Sequence, residues 1–425
     1  MAKMIIHGQN RLTGTVRCHG AKNSALPLLA ACLAAEEPCR LYNCPRLADV
    51  ETSLDILKHL GCLAVLDDGT AFVDPTKARY SEIPDGLMRR MRSSITFLGA
   101  MLSRFGHAEL SLPGGCELGA RPVDLHLAAL ERMGASVEEQ HGRIRCRCSG
   151  GLRGAAVPLG FPSVGATENI MIAASTARGE TVIHNAAREP EIVDLGAFLN
   201  ACGADISGCG ESTIVIRGVE RLGGCCHTVI PDRIEAATYL AAASVTGGEV
   251  TLTHVCREHL TPVLSAMEKA GCLFECGGDS IRISAPERLG PMGYIRTMPY
   301  PGFPTDAQAI MMAAACTAEG TSVFVENIFD GRMKHVSQLC RLGARITTEG
   351  RMAVVEQSAG LSGASLHACD LRGAAALIVA GLAAAGVTEV TGLCYLDRGY
   401  ENFERGLREL GADIMRVSCE EIACP

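Results

Sequence analysis

The stretch Val193-Asp-Leu-Gly-Ala-Phe-Leu-Asn-Ala-Cys-Gly-Ala204 is an amphipathic segment that ends in Cys-Gly-Ala. Glycine one step past a helix turns the chain out of it, because glycine enters the left-handed region without a Cβ penalty. The same ending recurs at Leu60-Gly61-Cys62, Met133-Gly134-Ala135, Ala270-Gly271-Cys272, Leu342-Gly343-Ala344 and Leu410-Gly411-Ala412. These glycines stand 73, 69, 68, 72 and 68 residues apart in order. Self-similarity at a nearly fixed period marks a repeat architecture.

Working outward from each glycine, the rest of the unit follows. An Ala-rich helix is predicted upstream, over residues 24–35, 93–104, 166–177, 235–246, 307–318 and 373–385. A short β-rich run comes next, as in Thr181-Val-Ile-His184, Glu249-Val-Thr-Leu-Thr253, Thr321-Ser-Val-Phe-Val325 and Thr388-Glu-Val-Thr391. Leu-Gly or Leu-x-Gly turns recur at Leu12, Leu152, Leu222, Leu289 and Leu361, with residues 71–86 as a degenerate counterpart. Each unit therefore reads strand, helix, strand, helix, strand. Three units per domain give two domains of about 200 residues, within the ordinary size range. The chain starts with a predicted hairpin, and its last unit ends without one. The hairpin is thus expected to complete the final unit. The domains are then 22–230 and 1–21 plus 231–425, crossing over near 229–232.

Composition narrows the function classes. The chain has 425 residues, 48% of them hydrophobic, with no Trp and 4% aromatics, so its cores must be aliphatic and small-residue packing. A net charge of −8 argues against a general nucleic-acid or membrane-surface binder, though it leaves room for a local cationic pocket. No apolar run reaches membrane-spanning length and no signal peptide opens the chain, so a cytoplasmic location is expected. The 21 cysteines include no Cys-x-x-Cys. Cys32, Cys316 and Cys340 read as small hydrophobes on helix core faces, and Cys146-Arg-Cys148 and Cys225-Cys226-His227 as strand or loop neighbours. No structural metal is expected.

One loop breaks the regularity. Ser111-Leu-Pro-Gly-Gly-Cys-Glu-Leu-Gly-Ala-Arg-Pro-Val-Asp-Leu-His126 puts Cys116 among glycines, five residues before Arg121. A thiol of pKa about 8.5 is mostly protonated at neutral pH and can serve as an acid or, ionised, as a nucleophile. Charged residues also recur at two loop classes. Lys22-Asn23, Arg92, Ser163-Val164-Gly165, Asp232-Arg233, Asp306 and Asp370-x-Arg372 precede the Ala-rich helices. Arg46, Arg121, Arg188, Arg257, Arg332 and Arg398 follow the β-runs. Helix starts favour Asp, and exposed loops favour Arg, without any further role. Gathered at one end of each domain, however, the set would line a cleft suited to small polyanions, since Arg pairs bidentately with carboxylate and phosphate.

Together these residues resemble the UDP-N-acetylglucosamine 1-carboxyvinyltransferases of the enolpyruvyl transferase family, over essentially the full length. The motifs are Gly20-Ala-Lys-Asn-Ser-Ala-Leu-Pro27, Met91-Arg-Ser-Ser-Ile95, the Cys116 loop, Pro162-Ser-Val-Gly-Ala-Thr167, Asn185-Ala-Ala-Arg-Glu-Pro-Glu191, Pro231-Asp-Arg-Ile-Glu235, Phe303-Pro-Thr-Asp306, Asp370-Leu-Arg372 and Asp397-Arg-Gly-Tyr400. The resemblance implies a two-domain inside-out α/β barrel of six βαβαββ repeats, three per domain, with the active site in the interdomain cleft. It implies transfer of the enolpyruvyl group of phosphoenolpyruvate to the 3-hydroxyl of UDP-N-acetylglucosamine, with no cofactor. By resemblance Asp306 is the general base and Cys116 the acid, which is also the residue that fosfomycin alkylates. Lys22, Arg121 and Arg398 are implied at the phosphate, and Arg332 and Arg372 at the carboxylate. Asn23 is implied to orient the sugar hydroxyl. The nucleotide side is carried by Arg92, Arg121, Pro122, Val123, Asp124, Leu125, Phe161, Pro162, Ser163, Val164 and Gly165, with Ile328 near the sugar. Some relatives carry Lys in place of Phe161, so the pyrophosphate contact there rests on the Ser163-Val164 backbone. Glu189, Asp232 and Asp370 match acidic positions of the cleft. Asp306 also reads as a helix N-cap. Two other functions remain open at this point: the same fold acting on shikimate 3-phosphate, and a catalytically silent binding protein.

Overall fold

The computed structural model describes residues 2–111 and 123–418. They form two compact units, one from residues up to His19 and from Pro231 onward, the other from Gly20 to Ile230. Each unit has its own apolar core.

In the Gly20–Ile230 unit the helices Lys22–Cys32, Phe97–Phe105 and Val164–Ala174 pack on one another, as do Arg233–Val245, Thr305–Ala315 and Leu371–Ala383 in the other unit. These helices are buried nearly all round: every residue from Ile234 to Ser244 and from Arg372 to Leu382 is buried. A helix without a polar face belongs inside, and Ala and Gly side chains let the three approach closely. The strands alternate buried and exposed residues, as Thr213–Arg217 and Met352–Glu356 do. One sheet face therefore covers the helices and the other meets solvent.

Five sheets have four strands and one has three among the described residues. The Ala156–Pro158 sheet shows the shared plan. Ala156–Pro158 runs parallel to Glu180–His184, which pairs antiparallel with Thr213–Arg217, which pairs antiparallel with Asp205–Ser207. The six repeat glycines all take positive φ, from +87° to +97°. Around Gly61 the Cys62 amide donates to Leu57 O at 3.0 Å and the Gly61 amide to Lys58 O at 3.0 Å, the double closure that ends a helix and aims the chain into a strand.

The N-terminal residues depart from expectation. They form no hairpin. Lys3–His7 lies between Val387–Thr391 and Asp413–Val417, completing the last repeat, while Thr13–Arg17 runs parallel to Glu249–Thr253 in another sheet. The cause is local docking: the Gly8 and Gln9 amides donate to Gly386 O and Leu382 O, carrying the chain off the first sheet. The Gly20–Ile230 unit closes similarly, with Cys226–Thr228 parallel to Cys39–Tyr42. The two crossing segments sit side by side, through Ala21 N to Ile230 O at 2.7 Å and Asp232 N to His19 O at 2.9 Å.

The second Ala-rich helix starts later than predicted. Residues Arg92–Thr96 form a 3₁₀ turn, and the α-helix begins at Phe97. Asn169 inserts its amide there, with Oδ1 accepting from Gly99 N at 2.6 Å and Nδ2 donating to Ile95 O at 3.0 Å. That side chain replaces the direct bond from Gly99 N to Ile95 O. Cys340 is exposed rather than on a core face, whereas Cys32 and Cys316 are buried. No helix among the described residues is long and apolar enough to cross a membrane.

Candidate active site

In the unit that contains residues 231–418, the site is built on the first turns of two helices and on the residues that follow a strand. Asp306 is the second residue of the Thr305–Ala315 helix, and Pro304 occupies the cap position without a side-chain bond. Asp306 is therefore no N-cap. Its carboxylate takes a short contact from Arg332 Nη2 and a 2.9 Å bond from Arg372 Nη2. Both arginine side chains are almost fully buried, while Asp306 keeps 26% of its side chain exposed. Arg332 also donates through Nε and Nη2 to Thr305 O, at 3.2 and 3.1 Å. Its guanidinium lies 5.8 Å from the Phe329 ring centroid.

Arg372 is the second residue of the Leu371–Ala383 helix, with its guanidinium 5.5 Å from the Tyr400 ring centroid. Burial works against its charge, but the Asp306 carboxylate, joined by Tyr400 and Asp232, holds it above the ordinary guanidinium range. Two of its buried donors, Nε and Nη1, have no hydrogen-bond partner among the described residues. A buried, unsatisfied cationic donor is costly, and an arriving anion would relieve it. Asp370 and Asp232 are N-caps: Asp370 accepts from Arg372 N and Gly373 N, and Asp232 from Ile234 N and Glu235 N. Arg398 is half-buried after the Leu393–Leu396 turn, and its neighbour Asp397 pairs with Arg416.

Glu326 was not singled out by sequence, although it directly follows the Thr321–Val325 strand. It is fully buried, and its carboxylate accepts from Thr297 Oγ1, Ile328 N, Phe329 N and Thr305 Oγ1 at 2.8 to 3.1 Å. One side chain thus aligns Ile328 and the residue before Asp306. His335 lies by Gly373 and Asp370. Burial first and Arg332 next lower its pKa to about 4, against the pull of Asp370.

In the Gly20–Ile230 unit, Lys22 opens its helix, is buried, and bonds Asp49 Oδ2 through Nζ at 2.8 Å. Asn23 beside it is half-buried. Ser24 Oγ makes a short bond to Asp194, whose other oxygen takes His227 Nε2 at 2.7 Å. Ser163 is the N-cap of the Val164–Ala174 helix and accepts from Ala166 N at 3.3 Å. The Val164 and Gly165 amides lie in that first turn, where helix donors and the helix dipole favour anions. Pro162 is half-buried and Phe161 is 43% exposed. Val123 is buried, Asp124 opens the Asp124–Arg132 helix exposed to solvent, and Leu125 packs against the core. Arg92 is half-buried at the 3₁₀ turn. Glu189 is buried at the cap position of the Pro190–Ala201 helix.

Next to these residues His126 accepts at Nδ1 from Asn169 Nδ2 at 2.9 Å. Asn169 is oriented by Gly99 N, so Nδ2 is its donor and the His126 proton sits on Nε2. Burial, helped by the Arg92 charge, lowers the His126 pKa to about 4. The ring lies over Gly165, where a Cβ would meet Cε1 at 3.3 Å. The sequence offered only the histidine at the end of the cysteine loop, with no sign of its partner 43 residues away. Cys116, Arg121 and Pro122 lie outside the described residues. Among the described residues no group of three or more His, Cys, Asp or Glu could hold a metal ion.

The sequence profile of the EPSP synthase (3-phosphoshikimate 1-carboxyvinyltransferase) family matches residues 6–407. UDP-N-acetylglucosamine 1-carboxyvinyltransferase 2 from Caldanaerobacter subterraneus subsp. tengcongensis is 49% identical over 417 residues, covering 98% of this chain and 100% of the relative. UDP-N-acetylglucosamine 1-carboxyvinyltransferase 1 from Staphylococcus aureus is 45% identical over 421 residues, covering 98% and 100%. Among solved structures, the enolpyruvyl transferase NikO from Streptomyces tendae superposes with a TM-score of 0.89 at 27% identity, covering 98% of this chain and 99% of NikO. EPSP synthase from Acinetobacter baumannii shares the fold, with a TM-score of 0.76 at 18% identity over 98% of this chain and 100% of that one.

Proposed function

Because the chain belongs to the EPSP synthase family, and within it to the UDP-N-acetylglucosamine 1-carboxyvinyltransferases, we propose that it transfers the enolpyruvyl group of phosphoenolpyruvate to the 3-hydroxyl of UDP-N-acetylglucosamine, releasing phosphate. This is the first committed step of peptidoglycan synthesis, and its setting is the cytoplasm. The observation that carries the reading is the partly exposed Asp306 carboxylate held by two buried arginines, one with two unpartnered donors. It joins a potential base to cations that an anionic substrate would satisfy.

A sugar hydroxyl is a weak nucleophile and needs a base. Asp306 takes its proton as the oxygen bonds to C2 of phosphoenolpyruvate, while C3 receives a proton from Cys116. The resulting tetrahedral ketal then loses a C3 proton and expels phosphate. Arg332 and Arg372 hold the carboxylate, and Lys22, Arg121 and Arg398 hold the phosphate, stabilising charge where it develops. Asn23 orients the hydroxyl. Arg92, Pro122, Val123, Asp124, Leu125, Phe161, Pro162, Ser163, Val164, Gly165 and Ile328 serve the nucleotide sugar. Fosfomycin reacts at Cys116.

The test is phosphate release from phosphoenolpyruvate with each acceptor. Release is expected with UDP-N-acetylglucosamine and not with shikimate 3-phosphate. No release with the nucleotide sugar, or faster release with shikimate 3-phosphate, overturns the reading.

A further inference from the structure

Four thiols from four segments meet in the Gly20–Ile230 unit. Cys32 ends the Lys22–Cys32 helix, Cys39 opens the Cys39–Tyr42 strand, Cys202 caps the Pro190–Ala201 helix, and Cys225 precedes the Cys226–Thr228 strand. Cys39 Sγ donates to Glu37 O at 3.8 Å and lies beside Cys202, Cys225 and Cys32. The Cys202 and Cys225 sulfurs lie 3.3 Å apart. Cys32, Cys39 and Cys202 are buried, and Cys225 is partly exposed. The cluster takes no part in the reaction assigned above. It lacks the geometry of a metal site, since no such group exists among the described residues.

Spacing decides what the pair can do. Bonded sulfurs sit at ~2.05 Å, so these two have little distance to close. The backbone around them is already joined: Gly223 N donates to Cys202 O at 2.8 Å, and Cys225 O accepts from Arg40 N at 2.9 Å. Cys225 is the member of the pair that solvent reaches, while Cys202 waits behind it.

We propose that Cys202 and Cys225 are an oxidisable pair that forms a disulfide with a hydroperoxide as oxidant. Against the Cys202 contact, the Cys39 thiol and burial push the Cys225 thiol above its ordinary value, so its minor ionised fraction is the nucleophile. That sulfur attacks one peroxide oxygen, the O–O bond breaks, and with hydrogen peroxide one water leaves, giving Cys225 sulfenic acid. The Cys202 sulfur then attacks Cys225 Sγ. The S–O bond breaks, and a second water leaves with the Cys202 proton. Two thiols and one peroxide thus become one disulfide and two waters. The new bond ties the closing strand of the unit to the helix that carries Asp194.

The experiment treats the full chain with hydrogen peroxide, blocks remaining thiols, and maps linked peptides against a reduced control. The Cys202–Cys225 link is expected several-fold above any other pair, and reducing agent should remove it. Cys225→Ser should abolish the link and leave Cys202 unoxidised at the same dose. The wild-type map decides the matter even if that variant folds poorly. A dominant link through Cys39 or Cys226, or conversion of Cys225 to sulfinic acid without a link, overturns the proposal.

Discussion

Asp306 Oδ2 and Arg372 Nη2 are 2.9 Å apart, each from the second residue of its own helix. Three helices pack side by side in this unit, so two successive repeats bring their first turns together and put a carboxylate against a guanidinium. Removing the carboxylate leaves both Arg332 and Arg372 buried with an uncompensated charge. Asp306→Ala should therefore cost about 3–5 kcal/mol in urea unfolding, besides abolishing phosphate release. Asp306→Asn keeps the shape and one neutral acceptor, so it should unfold closer to wild type yet remain inactive. An active Asn variant would remove Asp306 from the base role.

Gly99 and Asn169 form a steric pair. A Cβ on Gly99 would sit 2.3 Å from Asn169 Oδ1 and 2.4 Å from its backbone oxygen. Gly99→Ala should destabilise by about 1–3 kcal/mol or more, as overpacking does. Asn169→Leu should cost a similar amount, on the order of 1–3 kcal/mol, by leaving Gly99 N and Ile95 O unsatisfied. Thermal melts of the two variants and the double variant should show non-additive losses, because one contact is involved.

His126 makes stability depend on pH. Its folded pKa, about 4, lies below the ordinary imidazole value of 6.5. The unfolded chain then binds the proton more tightly, so stability rises with pH and is lost as pH falls from 6.5 towards 4. One pKa unit is worth about 1.4 kcal/mol, so the loss at pH 4 is on the order of 3 kcal/mol. His335, also lowered to about 4 by burial, adds its own share in the other unit. His126→Gln should shrink the acid-side loss between pH 7 and pH 4 in denaturant titrations without removing it.

Glu326 accepts bonds from two backbone amides and two threonine hydroxyls. Glu326→Ala should cost several times ~1 kcal/mol, since each abandoned buried donor carries its own desolvation penalty. Glu326→Gln keeps the volume but turns part of the acceptor into a donor. It should destabilise less and raise KM for the nucleotide sugar through Ile328, with kcat less affected.

The repeat glycines offer a graded test. Gly203 has φ +97° and nothing within 4 Å of an added Cβ, so Gly203→Ala meets backbone strain alone, about 1–2 kcal/mol. At Gly61 the added Cβ would also lie 2.8 Å from Lys77 O. Gly61→Ala should therefore melt lower than Gly203→Ala.

Much of the architecture was legible because helix endings and apolar periodicity are local. Gly61, Gly134, Gly203, Gly271, Gly343 and Gly411 announced the repeat, and each takes positive φ. The roles of equivalent residues were not legible in this way. Arg46, Arg188 and Arg257 are exposed, whereas Arg332, at the corresponding position, is buried against Asp306. Asp232 and Asp370 cap helices, while Asp306, also at a helix start, does not.

By itself the sequence determined the six units, their helix ends and the set of charged residues at the loop mouths, since each depends on spacing within one segment. Tertiary structure alone decided which strand closes which sheet and which charges meet. Lys3–His7 and Thr13–Arg17 could have paired as neighbours but joined separate sheets, because docking against residues 382–386 bonded the amides between them. Asn169 with His126 and Glu326 with Thr297 likewise became partners only once packing excluded water and left their polar atoms to one another.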